Sequence, residues 1–96
     1  MLFIATCTDK PDSMPTRKEN RPAHLAYLGA HSDKVKAGGA LLTPDQNAVL
    51  GSLLIVEAAD EAEVAALLAE DPYAKAHLFA AIDIKPWRQA IGAPLA

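Results

Sequence analysis

Ninety-six residues with a net charge of −3, 51% apolar but only 5% aromatic, describe one folded domain, residues 1–96, whose core is built from Ala, Leu, Ile and Val. The acidic balance and the lack of any Lys/Arg run exclude nucleic acid and an anionic membrane surface as partners, and no apolar stretch approaches the roughly 20 residues that span a bilayer. The single cysteine, Cys7, excludes an internal disulfide, and Met1 to Thr6 lacks a basic lead and meets Asp9 at once, so neither secretion nor a signal peptide is expected and the cytoplasm is the expected location.

Leu2 to Thr8 is apolar and β-prone and reads as a strand ended by Asp9-Lys10-Pro11-Asp12. Thr16-Arg17-Lys18-Glu19 has capping-box spacing, so a short turn of helix is expected there, with a restart that puts Pro22 in its first turn. From Ala23 a helix is expected whose stripe is Leu25, Leu28, Ser32 and Val35 and whose end is Gly38-Gly39. Ala40 to Thr43 reads as a short strand, Pro44 to Asn47 as a turn, and Gly51 to Glu57 as the strongest strand. In that strand Leu53 and Ile55 face one way and Leu54 and Val56 the other, so both sides of the sheet need cover. Asp60 and Glu63 form a capping box for a helix that buries Val64, Leu67 and Leu68. Asp71-Pro72 ends it and caps one more turn through Lys75. Leu78 to Ile84 reads as the last strand, stopped by Pro86, and the tail from Trp87 carries no signal.

The order β-α-β-β-α-β, with right-handed crossovers, is the α+β ferredoxin-like arrangement: a four-stranded antiparallel sheet with two helices on one face. The open face, apolar on the third strand, is expected to meet the same face of a second copy in a homodimer. With the first strand running up, the top edge collects the start of the first helix, the start of the third strand and the end of the second helix. Arg21, His24, Ser52, Asp71 and Tyr73 therefore converge there.

Arg21-Pro22-Ala23-His24-Leu25-Ala26-Tyr27-Leu28, Gly38-Gly39, Gly51-Ser52, Asp71-Pro72-Tyr73 and Ile84-Lys85-Pro86-Trp87 together resemble the YciI-like (YCII-related) family over nearly the whole chain. The resemblance implies a ferredoxin-like fold paired into a dimeric α/β barrel, with His24 and Asp71 as the site. One branch of that family removes HCl from a chlorinated hydroxyhydroquinone, and the related muconolactone isomerases share the barrel. The connection from Pro44 to Leu50 is shorter here than in some relatives, so substrate range does not transfer.

The residues themselves leave alternatives open. His24 is either a packed helix-face histidine or a proton carrier, since imidazole changes charge near neutral pH and a carboxylate on one ring nitrogen frees the other. Asp71 before Pro72 is an ordinary N-cap, a role compatible with holding His24 because a carboxylate has two oxygens. Arg21 would clamp a carboxylate or phenolate, or pair with Glu19 or Asp71. Ser52 reads as a substrate contact, since a nucleophile would need a base about 3 Å away, and Tyr73 lines the pocket or packs. His24 and His31 lie about 10.5 Å apart along a helix axis, too far to share one ion, so no metal is expected, and no cofactor fingerprint is present. The expected function is a lyase- or isomerase-type enzyme using a His24–Asp71 dyad on a small-molecule ligand. The alternative is a non-catalytic small-molecule binding or regulatory dimer.

Overall fold

The computed structural model describes residues 1–95. Elements follow in the order β1 (Leu2–Asp9), α1 (Met14–Ala30), β2 (Val35–Leu42), β3 (Val49–Glu57), α2 (Glu61–Ala69), α3 (Pro72–Lys75) and β4 (Phe79–Trp87). The four strands form one antiparallel sheet in the order β2-β3-β1-β4, the ferredoxin-like topology, with β1 and β3 at its centre.

Strand alternation builds the core. Phe3, Ala5 and Cys7 of β1 stand opposite Val56, Leu54 and Ser52 of β3, and all six are buried. Val64 and Leu68, one turn apart on α2, close over them, each burial contributing roughly 1.5–3 kcal/mol. The start of α2 is fixed by a reciprocal cap: Asp60 Oδ1 accepts from the Glu63 amide at 2.9 Å, and Glu63 Oε2 accepts from the Ala59 amide at 3.0 Å. On the opposite face Ile4, Thr6, Leu53 and Ile55 are only half-buried.

Several local expectations are corrected. The first helix is one uninterrupted 17-residue element from Met14, with Pro22 inside it, and no Thr16–Glu19 capping box forms. Pro22 withholds a donor on the solvent side of the helix, where both it and Lys18 are exposed, so the lost bond lies outside the core. This helix ends at Ala30, and its expected stripe does not hold: Leu25 is 47% exposed, Ser32 lies beyond the helix, and Val35 opens β2. The buried positions of α1 are instead Arg17 and His24. Turn bonds from the Lys34 and Val35 amides to the His31 carbonyl reverse the chain at that point.

Gly38 and Gly39 consequently sit inside β2, which is twice the expected length. A Cβ on Gly38 would stand 2.5 Å from Leu54 Cδ2, so any larger residue here must displace the tip of that buried side chain. Likewise β4 continues through Pro86 to Trp87. It is an edge strand paired only with β1, where a missing amide costs no ladder bond.

Candidate active site

The two polar residues that α1 buries are seven apart, two turns along one face, with Arg21 between them: Arg17, Arg21, His24 and Leu28 share a stripe. That stripe looks toward the sheet across α3. Asp71 precedes α3 and caps it, its Oδ1 accepting from the Tyr73 amide at 2.9 Å. The same carboxylate faces His24. Nδ1 of His24 lies 2.8 Å from Asp71 Oδ1 and 2.9 Å from Oδ2, with the Asp71 side chain 1% exposed and that of His24 9% exposed. An ionised carboxylate only accepts, so Nδ1 carries the hydrogen, and in the neutral ring Nε2 is then the acceptor.

Tyr73 joins this pair to a second one. Its ring stacks on the His24 imidazole at 3.8 Å and 13°, and the Arg17 guanidinium carbon lies 4.7 Å from its centroid. Arg17 is gripped in turn by Asp9, Nε to Oδ2 at 2.7 Å and Nη2 to Oδ1 at 2.9 Å, both side chains almost fully buried. Nη2 also donates to Ser52 Oγ at 2.8 Å. Burial pushes the Tyr73 hydroxyl above its ordinary value, while the Arg17 and Arg21 charges pull against it. Cys7, beneath the site, is pushed up to about 12, first by burial and then by the charges of Asp71 and Asp9, so it is an inert thiol.

A cavity of about 160 Å³ opens between α1 and the sheet, lined by Arg17, Arg21, His24, Ser52, Leu54 and Tyr73, with Gly38 and Gly39 leaving room on the strand side. Asp71 lies behind His24 and does not line it. Two larger hollows, of about 560 Å³ near Glu57 and Trp87 and about 580 Å³ between the β1–α1 and β2–β3 connections, contain neither His24 nor Asp71. Among the described residues no three His, Cys, Asp or Glu side chains gather where they could hold a metal ion, and no helix is long and apolar enough to cross a membrane.

All five residues singled out in the sequence thus reach one place. His24 lies past the middle of α1, however, not near its start. Asp71 combines both expected roles, Oδ1 capping Tyr73 while Oδ2 meets His24, and Oδ1 lies within reach of His24 as well. Arg21 is exposed and forms no ion pair among the described residues, with Glu19 or Asp71 included. Arg17 and Asp9 were missed. The available signal was the seven-residue spacing of Arg17 from His24, obscured because Arg17 fell inside an apparent capping sequence.

With this geometry in view, the chain matches the YCII-related domain family over residues 1–88. It is 30% identical over 96 aligned residues to the protein YciI of Escherichia coli and to that of Shigella flexneri, covering 93% of this chain and 98% of each relative. Among solved structures it resembles the 5-chloro-2-hydroxyhydroquinone dehydrochlorinase TftG of Burkholderia phenoliruptrix in complex with 2,5-dihydroxybenzoquinone. The TM-score is 0.84 and the identity 38%, over 94% of this chain and 96% of that one.

Proposed function

The chain belongs to the YCII-related family, and from that premise we propose that it is a proton-transferring enzyme of the lyase or isomerase type acting on a small single-ring molecule. His24 takes and returns the proton, and Asp71 orients it. The observation that carries this reading is the grip of Asp71 on Nδ1 at 2.8 and 2.9 Å while the ring itself borders the cavity. A carboxylate in that position fixes the tautomer with a bare Nε2 toward the substrate and stabilises the imidazolium formed when the proton arrives. The cavity size supports one ring as cargo: a space of about 150 Å³ holds a benzene. Likeness to a dehydrochlorinase supports the elimination side of the reading, because loss of HCl begins with removal of a proton. Arg21, at the cavity mouth, would attract a phenolate or carboxylate, Ser52 would contact a substrate oxygen, and Tyr73 would form a wall.

The functional unit in this reading is a cytoplasmic homodimer, its half-buried sheet faces packed together. The test is chloride release from 5-chloro-2-hydroxyhydroquinone, extended to other hydroxylated, halogenated and lactone-bearing single rings. Turnover by the wild type is expected to fall at least about 100-fold in His24→Gln and to fall comparably in Asp71→Asn. Turnover indifferent to His24→Gln would refute the dyad. Binding of 2,5-dihydroxybenzoquinone with no turnover of any ring would favour the binding-module alternative.

A further inference from the structure

Ser52 has no base to activate it. Its oxygen already accepts from the Arg17 guanidinium at 2.8 Å, and a permanently charged guanidinium cannot take a proton. The hydroxyl nonetheless retains one hydrogen to donate, and no described residue accepts it. Ser52 is 3% exposed, and it shares the cavity with His24. Behind it stands a rigid charge, because Asp9 holds Arg17 through two bonds of 2.7 and 2.9 Å. Tyr73 touches both halves of the site, stacked on His24 and lying under Arg17, so the proton carrier and the Ser52 donor are set by one side chain.

Resting on the proton-transfer reading above, we propose that Ser52, polarised by the Asp9–Arg17 pair, donates its hydroxyl hydrogen to the substrate oxygen on which negative charge develops when His24 takes the proton. The substrates are then rings whose acidic hydrogen is conjugated with oxygen: phenols, enolisable cyclic ketones and unsaturated lactones. In the first step the substrate C–H or O–H bond breaks and its proton goes to Nε2 of His24. The electron pair moves through the ring to the oxygen held by Ser52. In the second step the pair returns, either expelling a leaving group as its anion, with His24 giving its proton up to solvent, or taking the proton back from His24 at another carbon. Neither branch requires an oxidant or a reductant. Ser52 is a catalytic residue in this scheme, and Arg17 and Asp9 are positioning residues that act through it, fixed before the charge appears.

The probe is 4-nitrophenol, whose phenolate is read by its visible absorbance. The wild type is expected to bind the phenolate about 10- to 100-fold more tightly than the neutral phenol, the worth of a hydrogen bond to a charged group. The bound probe then titrates correspondingly lower than the free one. Ser52→Ala and Arg17→Lys lose most of this preference, keeping only what the Arg21 charge at the cavity mouth supplies, while still binding the neutral phenol, which a misfolded chain does not do. Ser52→Ala causes the same loss in a His24→Gln background, separating this proposal from the dyad: the relay stands on this pattern whether or not any substrate turns over. Any other pattern overturns it, including no binding of 4-nitrophenol, equal affinity for its two forms, or a preference undiminished in Ser52→Ala.

Discussion

Three hydrogen-bond contacts converge on the Asp71 carboxylate, two from His24 Nδ1 and one from the Tyr73 amide. Its replacement therefore separates structure from chemistry. Asp71→Ala loses a cap and strands a buried imidazole N–H, and should lower unfolding free energy by about 2–4 kcal/mol in urea titrations. Asp71→Asn retains a capping oxygen and should cost less than about half of that, although it cannot hold His24 in one tautomer. Cys7 supplies a pH prediction. Its folded value of about 12 lies above the ordinary value of 9.0, so between those limits the unfolded chain releases a proton that the folded chain keeps. Stability is thus unaffected by this group below about pH 9 and falls as pH climbs toward 12. Urea midpoints should decline across that range, and less steeply in Cys7→Ala. Burial raises Tyr73 and Tyr27 in the same sense. At this scale the sequence disclosed His24, Ser52, Asp71 and Tyr73 because each stands in a short recognisable string. Arg17 stayed hidden because its partner Asp9 closes β1, and nothing local links the two.

Elements were legible where capping and alternation act within a few residues. Asp60 with Glu63 and Asp71 with Pro72 placed α2 and α3, and the unbroken apolar run from Leu53 to Val56 placed β3. The boundary between α1 and β2 was not legible, because what moves Gly38-Gly39 from a helix stop into a strand is contact with Leu54, sixteen residues on. Pro22 misled for a related reason: its penalty depends on which side of the helix meets water, a property of the finished fold. Glycine replacements test this account of packing. A Cβ on Gly51 would stand 1.9 Å from the Cys7 carbonyl oxygen, so Gly51→Ala must force β1 and β3 apart, whereas a Cβ on Gly39 meets nothing within 4 Å. Thermal unfolding should show Gly51→Ala destabilised by at least about 2 kcal/mol and Gly39→Ala nearly unchanged.

For the whole molecule, alternating strand direction is what gathers Arg21, His24, Ser52 and Tyr73 around one cavity, and that followed from element order alone. The same topology leaves Ile4, Leu53 and Ile55 half-buried on a sheet face without helices. A second copy covering that face should appear in sedimentation at micromolar concentration as a species of twice the 10.1 kDa chain mass, and a species of the single-chain mass would contradict the paired barrel. The dyad is tested most directly by the tautomer of His24 in the intact protein, read from long-range ¹H–¹⁵N correlations at a pH where its imidazole is neutral. The account predicts a hydrogen on Nδ1 and a bare Nε2 in the wild type, with that preference lost in Asp71→Asn. A hydrogen on Nε2, or the mixture shown by free imidazole, would contradict it.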